Sequence, residues 1–304
     1  MTGAAPPARR LALATPALVL AALGIAAAPA HAQEVDEVSH TAIEVTKLSS
    51  SLYVLSPVGE FGGSNVTVSA GPDGLFLVDT PLTSMIPKIK SALRAISSEP
   101  VRFLVNTHPH SDHHGGNIEF GRAGAMIIAH PRTRVDLAKG KPPAFALPSV
   151  TVDCKVAMHL NGEDIEVVHP LTGHTSADLF VYFKKAKVVS LGDEYLPGVF
   201  PMVDDTGDLA GLVKNLEKLV AELPPDYRIV PGHGKVATLA DLRATLQMLR
   251  ETTAIVRTGI ADGKSLEQMK RARVLARYEA WGRGDVSQDD FLQTLHTMLR
   301  GKRR

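Results

Sequence analysis

A short apolar segment leads directly into a histidine-rich one in the run Val101-Arg102-Phe103-Leu104-Val105-Asn106-Thr107-His108-Pro109-His110-Ser111-Asp112-His113-His114-Gly115-Gly116. Residues 101–105 have the apolar, β-branched composition of a buried strand. Four side chains that can bind a metal ion fall within the six positions after Thr107: His108, His110, Asp112 and His113. A loop at the end of a strand can turn several imidazoles towards one point, and the two glycines allow the backbone to turn sharply. The run therefore predicts a metal site at the end of a buried strand.

Three more potential ligands occur in the same setting, each just after an apolar, strand-like run. They are His174 after residues 165–168, Asp193 after residues 187–191, and His233 after residues 228–230. A single histidine between glycines is often an ordinary loop residue, so none of these positions is informative alone. Their joint occurrence at the ends of strands predicts that all three complete the same site.

Strand-like and helix-like segments alternate in both halves of the chain. Short runs that are typical of strands occur at residues 52–55, 65–70, 75–79, 101–105, 125–129, 150–160, 164–168, 179–183, 187–191 and 228–230. Helical periodicity is visible at residues 85–96 and 209–222, and leucines with helical spacing begin near residue 238. This order predicts an α/β fold in which helices enclose two sheets, with C-terminal helices packed on a single domain.

Composition excludes several classes of protein. The 33 basic and 32 acidic residues leave a formal net charge of +1, so the chain carries no electrostatic signature of nucleic-acid binding. A lone cysteine, Cys154, rules out a disulfide framework and a thiolate-rich zinc site. Cys154 lies in the strand-like run 150–156, which predicts a buried thiol.

The first 32 residues have the three parts of a secretory signal: Arg9 and Arg10, an apolar run over residues 11–28, and the ending Ala30-His31-Ala32. A membrane-spanning helix is the alternative, but the run is alanine-rich and is interrupted by proline. We therefore predict cleavage after Ala32 and an exported chain, residues 33–304, that is periplasmic or secreted and keeps no membrane anchor. The route is the general secretory (Sec) pathway or, given the paired arginines, the twin-arginine pathway.

The complete ligand pattern resembles that of the metallo-β-lactamase superfamily. It consists of His108-x-His110-x-Asp112-His113 followed by His174, Asp193 and His233, and the similarity extends from Asn65 to Gly234. The resemblance implies a four-layer αββα sandwich with metal ions at the ends of the sheets. The C-terminal helices, from about residue 238, would be additions to that sandwich.

The resemblance also implies a role for each ligand. The first metal ion would be bound by His108, His110 and His174, the second by Asp112, His113 and His233, and Asp193 would bridge the two. Histidine and carboxylate ligands fit two Zn²⁺ ions, while Fe and Mn also accept them. A hydroxide between the two ions would attack a carbonyl group, and Asp112 would be the catalytic residue that orients it and takes its proton.

Asp193 indicates which subgroup of the superfamily the chain resembles. Members that bind the second metal ion through a cysteine are not matched, since position 193 holds aspartate and Cys154 lies far upstream. The pattern is similar to that of glyoxalase II-like and lactonase-like members. It therefore implies hydrolysis of a small-molecule ester, thioester, lactone or β-lactam.

Other functions of the same fold stay open at this point. An iron-dependent oxidoreductase that oxidises persulfides would keep the fold, although it needs fewer ligands than this chain retains. A metal-binding protein without turnover would tolerate a shallow site, whereas an enzyme requires a defined pocket. Nucleases of the superfamily are disfavoured by the near-neutral charge and the predicted export. The sequence carries no sign of the oligomeric state.

Four residues outside the ligand set are candidates for supporting or substrate contacts: Asp79, His114, Tyr195 and Phe61. Asp79 resembles the buried aspartate that supports the metal loop in the family. His114 could contact the ligands or simply be packed, and Tyr195 could stabilise an oxyanion or lie in the core. Phe61 lies on a glycine-flanked hairpin tip that could cover the substrate or be a plain turn. Further substrate contacts are expected on the connection between residues 140 and 148.

Overall fold

The computed structural model describes residues 1–3, 41–58 and 63–301. Nearly all of the predicted signal segment and the hairpin tip with Phe61 therefore lie outside the described residues. No helix within these ranges is long and apolar enough to cross a membrane.

The described strands form two sheets. The first has seven strands that lie in their sequence order: β1 (Ala42–Lys47), β2 (Leu52–Val58), β3 (Val66–Gly71), β4 (Gly74–Val78), β5 (Val101–Val105), β6 (Met126–Ala129) and β7 (Val150–Thr151). The second has six strands that also lie in sequence order: β8 (Lys155–Leu160), β9 (Glu163–Val168), β10 (Phe180–Phe183), β11 (Val188–Ser190), β12 (Arg228–Val230) and β13 (Ala237–Thr238).

Helices fill the connections between these strands and the C-terminal part of the described chain. The α-helices are α1 (Ile86–Ile96), α2 (Ser111–His114), α3 (Asn117–Arg122), α4 (Pro131–Lys139), α5 (Leu209–Glu222), α6 (Leu239–Ala261), α7 (Leu266–Arg271) and α8 (Gln288–Arg300). Short 3₁₀ helices occur at Thr83–Met85, Ala144–Ala146, Gly192–Glu194 and Ala276–Arg283.

Strand β4 shows why the first sheet is covered on both faces. All of its residues are buried, and alternate side chains of a strand point to opposite faces. Leu75 and Leu77 belong to the core beneath α1 and α3, whereas Phe76 and Val78 belong to the core between the two sheets. A strand that is apolar on both faces therefore requires a layer on each side.

The second sheet is covered in the same way. Val188 and Val230 lie in the core between the sheets, whereas their neighbours Val189 and Ile229 face a core that includes leucines of α5, α6 and α8. Three apolar cores thus separate four layers in the order helix, sheet, sheet, helix. The predicted αββα sandwich with added C-terminal helices is confirmed.

Most predicted elements occur where the pattern placed them. Strands β5 and β12 and helix α5 have the predicted bounds. Helix α6 begins one residue after the predicted boundary, because Thr238 and Asp241 form a reciprocal capping box at its start.

The prediction of a continuous strand through Cys154 is wrong. β7 ends at Thr151 in the first sheet and β8 begins at Lys155 in the second sheet, so residues 152–154 carry the chain from one sheet to the other. The thiol of Cys154 is exposed rather than buried. The alternating pattern of this run reflects two half-buried edge segments, which periodicity alone does not separate from one strand.

Parallel pairing gathers the functional loops at one edge of the sandwich. β4, β5 and β6 are mutually parallel neighbours, as are β11 and β12, and the carboxyl ends of parallel strands meet at one edge. Backbone hydrogen bonds join the two edges, from Asn65 N to Gly232 O at 2.7 Å and from Leu179 N to Thr107 O at 2.8 Å. The loops after β4, β5, β11 and β12 therefore converge between the sheets.

His130 is a buried histidine at this edge that lies outside the predicted ligand set. Its Nδ1 accepts a hydrogen bond from Arg132 N at the start of α4, and its ring lies against the His169 ring, with centroids 4.2 Å apart and planes tilted by 32°. Burial, reinforced by the nearby charges of His169 and Arg132, lowers the pKa of His130 to about 4. The folded chain therefore keeps this ring uncharged when the unfolded chain would protonate it.

Replacing His130 by asparagine should reduce the loss of stability at acidic pH, because asparagine can also cap α4 but does not titrate. The lowered pKa contributes stability above about pH 6.5 that is lost as the pH falls towards 4. We expect the fall in unfolding free energy between about pH 8 and about pH 4.5 to be about 2 kcal/mol smaller in His130→Asn than in the wild type. Urea titrations of the metal-free proteins measure this difference, and an equal pH dependence would contradict it.

Candidate metal centre

The histidine-rich run forms the short helix α2 and the turn that precedes it. His108 and His110 lie before α2, and Asp112 and His113 lie within it. The two glycines that follow are needed for close packing rather than for an unusual backbone conformation. A Cβ at Gly115 would lie 2.1 Å from Pro81 O, and one at Gly116 would lie 2.8 Å from the Phe120 ring.

One group of ligand atoms is formed by three histidines and one oxygen of Asp193. His110 Nδ1 lies 3.0 Å from His108 Nε2 and 3.1 Å from His174 Nε2. Asp193 Oδ2 lies 3.9 Å from His108 Nε2 and 3.8 Å from His174 Nε2. These four atoms surround one point and lie within 4.8 Å of one another.

A second group lies on the other side of the Asp193 carboxylate. Asp112 Oδ2 is 3.1 Å from His233 Nε2 and 3.6 Å from His113 Nε2. Asp193 Oδ1, the oxygen not used by the first group, is 3.3 Å from His113 Nε2 and 3.5 Å from His233 Nε2. Each oxygen of Asp193 therefore faces a different group.

These spacings fit metal coordination. Bonds of about 2.0–2.1 Å to nitrogen place neighbouring tetrahedral ligand atoms about 3.3 Å apart. In addition, His113 Nε2 and Asp193 Oδ1 are buried polar atoms without a hydrogen-bond partner among the described residues. Because buried polar atoms are rarely left unpaired, these two atoms indicate a ligand between them. The imidazole and carboxylate set is one that divalent metal ions accept.

The ring nitrogens that face away from the two groups have their own partners. His174 Nδ1 bonds to Met202 O at 2.9 Å, and His113 Nδ1 bonds to Asp79 Oδ2 at 2.9 Å. His110 Nε2 lies 3.5 Å from Asp204 Oδ2. Such partners fix the tautomer and the orientation of a metal-binding histidine. The centre is therefore held in its arrangement by the surrounding chain.

The charge state of the first group suits metal binding. Burial lowers the pKa of His108 and of His174, so both rings stay uncharged. Burial alone would raise the pKa of Asp193, but the neighbouring His113 and His233 outweigh it and hold that pKa well below its usual range. Uncharged imidazoles and an ionised carboxylate are the forms that bind metal ions.

In the second group, the electrostatic surroundings favour the protonated forms of the two histidines. Burial opposes charge on His113 and His233, yet the neighbouring carboxylates raise the pKa of both rings, that of His233 to about 9. Burial alone would raise the pKa of Asp112, but the hydrogen bond to His233 and the charges of His113 and His233 together outweigh it and lower that pKa. A metal ion that binds here must displace these protons.

Asp79 supports the loop as the sequence predicted for it. Its carboxylate accepts hydrogen bonds from Thr107 N and Thr107 Oγ1, both at 2.7 Å, besides the bond from His113. Its backbone is left-handed, with φ of 60°, which aspartate tolerates better than most residues. Asp79 therefore ties the start of the histidine-rich run to its end without contributing an atom to either group of ligand atoms.

The other two described candidates lie outside both groups of ligand atoms. His114 is half-buried and pairs through its backbone with Thr80 next to the centre. Tyr195 is buried in the core formed with α5, α6 and α8. Burial raises the pKa of Tyr195 to about 12, and the ring belongs to the core rather than to an oxyanion site. The core interpretation of Tyr195 is confirmed.

A buried polar cluster behind His174 was missed from the sequence. Glu194 accepts hydrogen bonds from His174 N at 3.0 Å and from Asn215 Nδ2 at 2.7 Å, and Asn215 Nδ2 also bonds to Leu171 O. Burial raises the pKa of Glu194 to about 7 despite these bonds. The available signal was Asn215 itself, a polar side chain on the apolar face of α5.

Glycines let two carboxylates approach the backbone closely. A Cβ at Gly232 would lie 1.8 Å from Asp193 Oδ1, and one at Gly173 would lie 2.0 Å from Glu194 Oε2. The glycine before His233 is thus required by the position of the shared carboxylate. This tight packing leaves Asp193 little freedom to move away from the two groups.

A cavity of about 510 Å³ opens beside the centre, with Asp193 and His233 in its wall. The connection 140–148, where substrate contacts were expected, is absent from the residues that line it. That connection packs instead on α3, where a Cβ at Gly121 would lie 2.1 Å from Phe145 O. The expected location of substrate contacts on this connection is therefore not supported by the structure.

Comparison with known proteins gives consistent matches. The family model described as the metallo-beta-lactamase superfamily matches residues 59–233. The metallo-beta-lactamase type 2 of Elizabethkingia meningoseptica is 26% identical over 77% of this chain and 94% of that protein. The metallo-beta-lactamase type 2 of Bacteroides fragilis is 24% identical over 69% of this chain and 86% of that protein. The solved structure of a metallo-beta-lactamase from Pontibacter korlensis has a TM-score of 0.57 and 24% identity, and it covers 68% of this chain and 99% of that chain.

Proposed function

Since the chain belongs to the metallo-β-lactamase superfamily and is a metal-dependent hydrolase, we propose that it cleaves a small ester, thioester, lactone or β-lactam with two zinc ions. The observation that carries this proposal is the position of Asp193. Its two oxygens face two separate groups of ligand atoms, which are His108, His110 and His174 on one side and Asp112, His113 and His233 on the other. A carboxylate in this position supports a dinuclear site better than a mononuclear one.

Two zinc ions in this site would supply a water molecule of lowered pKa and would polarise a carbonyl oxygen. The chain's own residues orient the reacting groups. Asp112 Oδ2 lies beside His233 and His113, and its side chain remains partly exposed. It can therefore hold an attacking water and accept its proton, whereas Asp193 is buried between the two ligand groups.

We also propose that the enzyme works outside the cytoplasm. The basic, apolar and small-residue parts of residues 1–32 support export of residues 33–304. Mass spectrometry of the chain recovered from the exported fraction tests this point, because cleavage after Ala32 leaves Gln33 as the first residue.

Metal content is the direct test of the proposed centre. The chain is purified from the exported fraction without added metal, and its metals are identified and counted by elemental mass spectrometry. We expect about two zinc ions per chain, in keeping with two separate ligand groups. Removal by a chelator should abolish hydrolysis across a panel of esters, thioesters, lactones and penicillins, and returned zinc should restore it.

Other outcomes of this experiment would redirect the function. One iron per chain with oxygen-dependent turnover of a persulfide would overturn the hydrolase mechanism in favour of oxidation. Two zinc ions without turnover of any panel member would contradict the substrate class while leaving the dinuclear centre in place.

A further inference from the structure

We infer that the cavity beside the metal centre selects substrates that carry an apolar spacer ending in a positive charge, with Asp285 as the group that recognises the charge. This inference rests on the proposed hydrolase function and specifies its substrate class. It depends on a part of the chain that follows residue 233, where the family match ends. The preference for a positive charge would therefore be set by a residue that the family match does not cover.

The cavity has a reactive end and an apolar wall. Asp193 and His233 lie at the end next to the metal centre. The wall contains half-buried apolar side chains from the loop after the Gly192–Glu194 helix, namely Leu196, Pro197, Val199 and Met202. A volume of about 510 Å³ lined in this way accommodates a small apolar group next to the reacting bond.

A second part of the wall comes from the C-terminal segment. Gly284, Asp285 and Val286 line the cavity between the Ala276–Arg283 helix and α8. This segment packs closely on the first wall, since a Cβ at Gly284 would lie 3.2 Å from Val199.

The two walls are fixed to one another. Phe200 N donates a hydrogen bond to Trp281 O at 2.9 Å, and the Phe200 ring stacks on Phe291 of α8 with centroids 4.3 Å apart. Phe200 and Phe291 are both buried. The segment that carries Asp285 is therefore held against the apolar wall by a packed core, and the Asp285 side chain itself is exposed.

Asp285 is the ionisable residue in the described lining of the cavity that does not belong to the metal centre. Among the described residues that line it, the ionisable ones are Asp193, His233 and Asp285, and the first two belong to the metal centre. Arg283 and Lys235, the cations nearest in sequence to lining residues, are not part of the lining. A substrate group that reaches this wall meets a carboxylate without a lining cation to neutralise it.

A second cavity is also lined by acidic residues. It has a volume of about 650 Å³, and its described lining includes Asp204, Asp205, Asp208 and Asp290 but neither lysine nor arginine. These carboxylates, of which Asp204 lies beside His110 of the metal centre, add negative charge around the site and favour a cationic substrate group over an anionic one. An anionic group placed beyond the apolar wall would be repelled.

Thiols that anchor on the metal ions test this inference without requiring turnover. Thiocholine, its uncharged tert-butyl isostere neohexanethiol, and mercaptopropanoate share a two-carbon spacer and differ in the charge at the end. Their dissociation constants are measured by calorimetry on zinc-loaded full-length protein. The matched variants are Asp285→Asn, Asp285→Lys and the control Asp289→Asn, which removes an exposed charge from the start of α8 outside both cavities.

The measured quantity is the preference for thiocholine over neohexanethiol, which is the ratio of their dissociation constants. The two thiols differ in intrinsic acidity, but this difference is the same for every variant and therefore does not affect the comparison between variants. We expect this preference to fall about threefold in Asp285→Asn and about tenfold in Asp285→Lys, and to stay unchanged in Asp289→Asn. Raising the salt concentration should weaken the preference in the wild type.

Two results would overturn the inference in different ways. An unchanged preference in both Asp285 variants, with all three thiols still bound, would remove the role of Asp285 and leave the proposed hydrolase intact. Failure of every thiol to bind the zinc-loaded protein, together with no turnover across the panel, would overturn the proposed function and this inference together.

Discussion

The variant Asp193→Ala should lose at least about 10³-fold in kcat/KM, which corresponds to about 4 kcal/mol of transition-state stabilisation. Among the described residues, its carboxylate is the one group that faces both sets of ligand atoms, with distances of 3.3–3.9 Å to four histidines. Its removal therefore weakens both metal positions at once, whereas loss of a single histidine affects one. We expect fewer than two zinc ions per chain by elemental mass spectrometry, together with the loss of turnover.

A second variant tests the same point without removing the carboxylate. Gly232→Ala places a Cβ where Asp193 Oδ1 now lies, at a separation of 1.8 Å. The carboxylate must move, so this variant should show the same direction of change in zinc content and kcat/KM. Asp226→Asn is the control, because Asp226 is an exposed residue that pairs with Lys187 away from the centre. Full zinc content and near wild-type turnover in Asp193→Ala would contradict the shared-ligand role.

The variant Asp79→Ala should lower the unfolding free energy by about 3–5 kcal/mol. Asp79 is buried and accepts hydrogen bonds from Thr107 N, Thr107 Oγ1 and His113 Nδ1. Alanine leaves these donors without an acceptor in a region that water does not reach, and each such loss is costly. Urea denaturation of the metal-free protein measures the change, and zinc titration should show about 10- to 100-fold weaker binding.

Backbone strain is the competing explanation for the same loss, because Asp79 has φ of 60°. Asp79→Gly separates the two, since glycine adopts this conformation freely but also lacks an acceptor. We expect the unfolding free energies of Asp79→Gly and Asp79→Ala to differ by about 1 kcal/mol or less. Asp79→Asn should retain part of the stability, because its amide oxygen can still accept a hydrogen bond. Recovery of most of the stability in Asp79→Gly would show that the backbone, rather than the hydrogen bonds, makes this residue necessary.

The C-terminal helices have a structural link to the metal centre. Met202 O accepts the hydrogen bond from His174 Nδ1, and Met202 lies on the loop that Phe200 fixes to α8 through its stacking on Phe291. The helices therefore support the orientation of a candidate metal ligand from outside the αββα sandwich. The same loop forms one wall of the cavity in which we infer substrate selection.

The set of candidate ligands that the structure brings together was predictable because it depends on local patterns. His108, His110, Asp112 and His113 lie close in sequence, and His174, Asp193 and His233 each follow an apolar strand. Parallel strands end at a common edge, so residues that follow such strands are brought together whatever the details of packing. The bounds of β5 and α5 were also predictable, because they depend on the local spacing of apolar residues.

The sequence by itself determined the layered fold and the choice of candidate ligands, since both follow from hydrophobic periodicity and from side chains that can bind metal. Only the tertiary structure decided the features that arise from contacts between distant segments. These include the division of the Asp193 oxygens between two groups, the cluster of Glu194 with Asn215, and the exposure of Cys154 where the chain changes sheets. They also include the cavity between residues 196–202 and 284–286. No local pattern records these contacts, because each depends on how two distant segments of the chain pack together.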